Sequence, residues 1–340
     1  MPKPLSLAEF LAAAGPILDV RSPGEFEQAH IPGAMSFPLF SNEERAVVGT
    51  CYKQKGRGHA VELGLEIVGP KLAGFAKRAK KLAVDRQVRV HCWRGGMRSG
   101  SMAWLLRTAG LEVSVLAGGY KAFRRWCLQQ LESPRTVVLL GGMTGSGKTY
   151  ILQELTDRGE QTIDLEGLAN HRGSSYGALG LPDQPSTEQF ENKLALEWQQ
   201  LDPDRRVWLE AESRNVGCCR IPPGVFAQMD AAPVFRVQRS RQERIETIAE
   251  MYGEEDLDGL IAATQRLKKR LGSERTQQAI AHLEQGEIVE AIDLILPYYD
   301  KAYTYDLERR DSTSIEVDIV GMTLAESSEA LVKQADRVLP

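Results

Sequence analysis

No apolar run in this chain approaches the length needed to span a membrane, and the opening residues, Met-Pro-Lys-Pro-Leu-Ser-Leu-Ala-Glu-Phe, lack the apolar core of a signal peptide. Both absences predict a cytoplasmic protein with no membrane partner. Cysteine is scarce: five residues at irregular spacing, of which only Cys218 and Cys219 are adjacent. An odd, unpatterned set excludes a disulfide framework and shows no zinc spacing, so no metal-ligand cluster is predicted. Positive charge is not in excess either. Lys and Arg number 42 against 46 Asp and Glu, for a net charge of −4, so a nucleic-acid partner would have to be held by a local basic patch. The 340 residues suffice for two domains with ordinary cores.

What the chain does carry is a pair of loops, each set between a strand and a helix. In Val88–Arg98, reading V-R-V-H-C-W-R-G-G-M-R, an apolar strand hands His91 and Cys92 to a turn, and the residues from Ser99 read as a helix closed by Gly110. Cys92 is thereby placed at a helix N-terminus, where loop N–H groups and the helix dipole favour an anion. Arg94 and Arg98 add charge that is expected to depress the thiol pKa, and Gly95 and Gly96 let the backbone curl into an anion nest. Cys92 is therefore the candidate nucleophile, with Arg94 and Arg98 beside it. A buried structural cysteine is the plainer reading, but apolar burial calls for neither the arginines nor the glycines. In the second loop, a buried-type strand at Thr136–Leu140 runs into Gly142-Met-Thr-Gly-Ser-Gly-Lys-Thr149, the pattern G-x-x-x-x-G-K-[ST] in its strand-to-helix setting. Backbone N–H groups around Gly142, Gly145 and Gly147 can cradle a diphosphate, Lys148 offsets its charge, and the Thr149 hydroxyl can hold a magnesium ion.

The remaining segments fill in an alternating pattern. Ser6 and Glu9 fit a capping box, and the strand Ile17–Val20 leads into Asp19, Arg21, Glu25 and Phe26, where an Asp19–Arg21 pair either serves a site or pins the turn. Gly49–Gly56 and Gly64 lie in a polar, glycine-bearing stretch with Lys53, Lys55 and Arg57 that could close over an anionic ligand. A Lys- and Ala-rich helix at Leu72–Leu82 and a strand at Val113–Leu116, followed by Gly118-Gly119-Tyr120-Lys121, complete a strand–helix alternation that argues a parallel α/β sheet. Pro134 interrupts a helix and sets a domain boundary, giving residues 1–132 and 133–340. Downstream, a strand ends in Asp164 and Glu166, and a polar loop with His171 and Arg172 follows. Phe190, Leu194, Trp198 and Leu201 recur at helical spacing as core, and the strand Val207–Glu210 can supply Glu210 or Glu212 as a metal-side carboxylate. Arg236, Arg239, Arg241 and Arg244 form one basic cluster and Arg266, Lys268, Lys269 and Arg270 another, each either a solvated helix face or a phosphate contact. From Met251 onward the pattern is helical. Leu296–Tyr305 is rich in tyrosine beside Lys301, Arg309 and Arg310, suited to packing between helices or to stacking on bases.

The pairing of the two loops resembles the tRNA 2-selenouridine synthase family. The motifs that carry the likeness run along the whole chain: Asp19-Val-Arg21 with Glu25-Phe26, Gly49-Thr-Cys-Tyr52-Lys53-Gln54, Cys92-x-Arg94-Gly95-Gly96-x-Arg98-Ser99 and Gly118-Gly119-Tyr120-Lys121. They continue through the phosphate loop, Asp164-Leu-Glu166-Gly167 with His171-Arg172-Gly173-Ser174, Glu212-Ser213-Arg214 and Tyr298-Tyr299-Asp300. The resemblance implies a rhodanese-like parallel-sheet domain followed by a P-loop NTPase-like α/β domain with C-terminal helices. It also implies a transferase that converts 2-thiouridine at the wobble position (U34) of tRNAs for Lys, Glu and Gln to 2-selenouridine. Its partners would be the tRNA anticodon loop, selenophosphate and geranyl diphosphate, with an S-geranyl intermediate and no tightly bound cofactor. Further substrate-site candidates are Asp19, Arg21, Gly64, Asp164, Glu166, His171, Arg172, Glu212 and Arg214. Candidates for tRNA contact are Arg236, Arg239, Arg241, Arg244, Lys269 and Arg270.

The residues agree with that chemistry. Sulfur on C2 of a pyrimidine is a poor leaving group until it is alkylated, the diphosphate of an allylic donor is what the Lys148 loop can bind, and a loop thiolate suits handling a chalcogen. Three other readings stand beside it. His91-Cys92-x5-Arg98 fits a cysteine phosphatase, although no aspartic general acid is evident. The two loops also fit a sulfurtransferase fused to an ATP-dependent kinase. A non-enzymatic docking role for the first domain is the third, and Cys92 argues against it.

Overall fold

The computed structural model describes residues 4–253, 255–308 and 313–338. Arg309 and Arg310 lie outside the described residues. The chain divides into two units, Met1–Gln129 and Gln130–Pro340, each built on a parallel sheet flanked by helices. No helix among the described residues is long and apolar enough to cross a membrane.

The first unit holds strands β1 (Ile17–Asp19), β2 (Ala34–Ser36), β3 (Gln87–His91) and β4 (Glu112–Val115) in the order β2-β1-β3-β4. Their register sets Asp19 opposite His91, so the C-terminal ends of β1 and β3 lie side by side, where α/β sheets place their sites. Strand residues Leu18, Val88 and Val90 pack against Met102, Ala103 and Leu106 on the helix Met97–Thr108. That helix begins at Met97, two residues before the sequence-based start at Ser99. The polar stretch around Gly49–Gly56 is helical: Asn42–Lys55 and Arg57–Val68 meet at Gly56, whose φ of +87° breaks them apart. Charged side chains on a solvated helix face explain its polarity as well as a ligand loop would.

The second unit contains β5 (Thr136–Gly142), β6 (Gln161–Ile163), β7 (Arg206–Glu210), a hairpin of β8 (Asn215–Val216) and β9 (Cys219–Arg220), β10 (Val234–Gln238) and β11 (Ser314–Asp318). The main sheet runs β11-β10-β5-β7-β6 and is parallel throughout. Central β5 is covered on both faces, and its Val138, Leu139 and Leu140 are fully buried, each such burial stabilising by ~1.5–3 kcal/mol. Phe190, Leu194 and Trp198 on the helix Thr187–Gln200 are fully buried as well, while Leu201 falls just beyond it. Helices Leu257–Arg266, Ser273–Glu284 and Ile288–Glu308 share a second apolar cluster with Ile245 and Ile248. The chain is not helical to its end, however. Strand β11 returns to the sheet edge beside β10, and its Ser-Ile-Glu-Val-Asp alternation buries only Val317, too brief a signal to outweigh the helical pattern around it.

Candidate active site: a cysteine loop and a phosphate loop

β3 ends at His91, and the chain turns through Cys92 and Trp93–Gly96 into the helix Met97–Thr108. The Gly118–Gly119 segment holds this turn from outside: Tyr120 N donates to Cys92 O (2.8 Å) and Lys121 N to Trp93 O (2.9 Å). Gly119, at φ +61°, has to be glycine, because a Cβ there would stand 2.2 Å from Cys92 O. Cys92 itself is 3% exposed. Its Sγ lies 3.2 Å from Ser99 Oγ, and since that hydroxyl donates to Gly96 O (3.1 Å), its oxygen is left to accept from the thiol.

The charged residues around this turn divide differently from the sequence reading. Arg94 is exposed, but the Arg98 guanidinium is paired with Glu25 (2.7 Å). Burial pushes the Glu25 carboxyl up, and the hydrogen bonds and charge of Arg98 outweigh it, bringing the group to about 2. An arginine engaged in this way is not the free phosphate clamp that a cysteine phosphatase needs. Asp19 and Arg21 are both buried in a bidentate pair (2.6 Å for Nη2 to Oδ2), with Arg21 also donating to Ala29 O (2.7 Å) and lying 3.9 Å over the Tyr120 ring. This pair pins the turn after β1. Gly64 sits within the helix Arg57–Val68, facing Phe40.

In the second unit, β5 runs into the phosphate loop and the helix Lys148–Asp157 leaves it. Gly145 (φ +83°) and Gly147 (φ +78°) give the loop its curl, and a Cβ on Gly145 would stand 2.6 Å from Arg244 O. Lys148 Nζ reaches across the loop to Gly142 O (3.0 Å). Around the loop lies a cleft of about 240 Å³, lined by the loop itself and by Glu166, Arg172, Ser174, Glu212, Tyr252, Tyr299 and Tyr303. Thr149 Oγ1 donates to Glu166 Oε2 (3.4 Å). Burial first, and then the charge of neighbouring Glu212, raise Glu166 to about 8, so at neutral pH Glu166 holds its proton.

Of the other acidic candidates, Glu210 is fully buried outside the cleft and accepts from Leu165 N (2.9 Å); burial, then the charges of Asp164 and Glu166, push it well above the carboxylate range. Asp164 caps the short helix Leu165–Ala169, accepting from Gly167 N (2.6 Å). His171 and Arg214 do not line the cleft, and Arg214 lies 5.3 Å over the Phe226 ring. Arg172 does line it, donating to Leu179 O (2.7 Å). Of the cleft tyrosines, Tyr299 and Tyr303 fall within the tyrosine-rich segment Leu296–Tyr305, whereas Tyr150 and Tyr252 carried no sequence signal.

The cleft continues into a narrow apolar crevice of about 50 Å³. Thr144, Ser174, Ile248, Tyr252 and Tyr299 border both spaces. Beyond them the crevice walls are almost wholly hydrocarbon: Leu260, Leu283, Ala291, Ile292 and Ile295.

The two basic clusters differ in kind. Arg244 is 5% exposed, donating to Thr144 O (2.9 Å) and paired with Asp300, so it braces the phosphate loop and is withdrawn from any RNA surface. Arg236, Arg239 and Arg241 each meet an acid, at Glu316 (3.5 Å), Glu243 (3.9 Å) and Asp293 (2.8 Å). Arg266, Lys268, Lys269 and Arg270 are all exposed, with Arg270 donating to Tyr298 Oη (3.0 Å) and Arg266 to Ser175 O (2.8 Å).

Fold and loops together define a class of protein: a rhodanese-like unit carrying one loop cysteine, followed by a phosphate-loop unit with its own apolar crevice. Family models match both parts, the rhodanese-like domain over residues 4–125 and the tRNA 2-selenouridine synthase AAA domain over residues 135–318. Proteins named tRNA 2-selenouridine synthase are similar over nearly the full chain. That of Marinobacter nauticus is 36% identical, covering 87% of this chain and 89% of its own. Those of Aeromonas salmonicida (35%, covering 90% and 91%) and Pseudomonas syringae pv. syringae (35%, covering 87% and 89%) stand close to it. The chain belongs to the tRNA 2-selenouridine synthase family.

Proposed function

We propose that this protein converts 2-thiouridine at U34 of tRNAs for Lys, Glu and Gln into 2-selenouridine, using selenophosphate, through an S-geranyl intermediate made from geranyl diphosphate. The observation that carries the reading is the continuity of the phosphate cleft with a hydrocarbon-walled crevice. A ligand with a diphosphate at one end and an apolar chain at the other matches the polarity of the two spaces. An ATP base would need polar partners that the walls of Leu, Ile and Ala do not offer.

In the first step the C2 sulfur of the uridine attacks C1 of the geranyl group, the C–S bond forms, the C–O bond to diphosphate breaks, and the N3 proton of the base leaves with the diphosphate. The loop N–H groups, the helix N-terminus and Lys148 stabilise the departing charge. A magnesium ion fits beside Thr149, held chiefly by the substrate phosphates with one carboxylate; it would add positive charge where the diphosphate leaves. In the second step selenium from selenophosphate adds at C2 and the C–S bond to the ring breaks, releasing geranyl thiol, while water takes the phosphoryl group as phosphate. Cys92, at the end of a sheet and beside a helix N-terminus, serves this chalcogen step.

The test is a nucleoside digest of 2-thiouridine tRNA after incubation with each variant, geranyl diphosphate and selenophosphate. Lys148→Ala is expected to abolish the S-geranyl nucleoside and, with it, 2-selenouridine. Cys92→Ser is expected to leave geranylation largely intact and stop selenation, so that the S-geranyl nucleoside accumulates. Loss of geranylation in a folded Cys92→Ser protein would make the cysteine part of the alkylation step. Normal geranylation by Lys148→Ala would assign the phosphate loop to another ligand.

A further inference from the structure

We propose that the apolar crevice gauges the length of the prenyl chain, with Ala291 and Ile292 as the stop for two five-carbon units and Leu283 as the wall behind them. The inference rests on the reading that the phosphate loop holds a prenyl diphosphate. The crevice runs along one face of the helix Ile288–Glu308. Tyr299 marks its mouth, because that ring also lines the phosphate cleft. From Tyr299 the lining passes to Leu296 and Ile295, then to Ile292 and Ala291, then to Ile288. These are three- and four-residue steps, so successive pairs stand one helical turn apart on the same face.

Residues 291 and 299 are separated by about 12 Å of helical rise, and one five-carbon unit of an extended chain spans about one turn, ~5 Å. Two units entering at Tyr299 therefore reach Ala291 and Ile292. Ala291 is 1% exposed and Leu283, from the neighbouring helix Ser273–Glu284, is 6% exposed, so packed side chains narrow the crevice at that depth, with half-buried Ile288 one turn beyond them. The crevice is narrow, at about 50 Å³. Each added carbon must displace wall atoms, and the bulk of the end wall then decides what fits. At Ala291 the wall is as small as a side chain can be while still narrowing the space. Enlarging it there shortens the accessible depth, and trimming Leu283 extends it.

The experiment gives the full chain 2-thiouridine tRNA and an equimolar mixture of dimethylallyl, geranyl and farnesyl diphosphates, and reads the S-prenyl nucleosides by mass spectrometry. Because the donors compete in one sample, the product ratio does not depend on how much of a variant is folded. Ala291→Leu is expected to move the ratio towards dimethylallyl by about tenfold, and Leu283→Ala towards farnesyl by about tenfold. Ile292→Val, a milder change, is expected to move it a few-fold in the same direction as Leu283→Ala. If the wild-type protein prenylates and none of the variants changes the ratio, the gauge is wrong and the phosphate-loop reading survives. If the wild-type protein transfers no prenyl group from any donor, both fall together.

Discussion

Single protons set the conditions under which each unit works. Glu166 is raised to about 8 by burial and by Glu212, so a rise in pH through that value adds a negative charge beside Thr149 and the phosphate loop. Inorganic pyrophosphate, titrated calorimetrically without divalent cations, is expected to bind more weakly as pH passes about 8, and Glu166→Gln is expected to flatten that dependence. The same shift opposes folding in one direction only. Between the ordinary 4.5 and about 8 the unfolded chain ionises this group and the fold does not, so stability falls as pH rises through that window. His91 behaves oppositely in the first unit: burial depresses it from 6.5 to about 4 despite the charge of Asp19. Above 6.5 it is neutral in both states; below, only the unfolded chain takes up the proton, so stability is lost as pH falls. The loss is expected to reach about 3 kcal/mol by the folded value of about 4. Thermal unfolding across a pH series checks it, since His91→Phe would remove that part of the acid sensitivity and leave the part due to Glu25.

At the scale of an element, the helix Ile288–Glu308 organises the second unit although a proline interrupts it. Pro297 has no N–H to give to the carbonyl of Asp293, and Arg241 supplies the missing donor at 3.0 Å while also pairing with the Asp293 carboxylate. Arg241→Ala is expected to cost about 1 kcal/mol, since that pair is half exposed. About two turns beyond Asp293, Asp300 receives Arg244, which in turn donates to Thr144 O of the phosphate loop. This links the helix bearing the crevice to the phosphate loop. Arg244→Met leaves the Asp300 carboxylate and the Thr144 carbonyl without their donor, and chemical denaturation is expected to show a loss of about 2 kcal/mol, below the range for a fully buried pair because Asp300 is partly exposed. The KM for the prenyl donor is expected to rise with it; an unchanged KM would show that the loop holds its shape without the brace.

For the whole molecule, an acidic chain that handles tRNA needs a local positive surface. Of the two basic groups, Arg266, Lys268, Lys269 and Arg270 are exposed and meet no acid among the described residues. Replacing Arg266, Lys269 and Arg270 together by Ala is expected to weaken tRNA binding and to lower the slope of log affinity against log salt by about 2. Replacing Arg236, Arg239 and Arg241, which already meet acids, is expected to leave that slope nearly unchanged. Filter binding at several salt concentrations separates the two outcomes, and equal slopes for both triple variants would move the RNA surface elsewhere.

What the sequence determined by itself is local. A glycine that must take positive φ, a lysine placed one residue inside a helix and a cysteine one residue past a strand are constraints written within eight or ten residues, so both loops were legible with their flanking elements. Core positions such as Phe190, Leu194 and Trp198 were legible for the same reason, since helical period needs no partner to be seen. Tertiary structure alone decided which charges are free. Arg98 meets Glu25 from 73 positions away and Arg244 meets Asp300 from 56, and nothing in a local pattern separates a paired arginine from an open one. The crevice and the Glu166–Glu212 pair are of the same kind, because an apolar space beside a phosphate loop exists only once several helices have packed against it, and desolvation, the force that raises Glu166, acts only on a group the fold has buried.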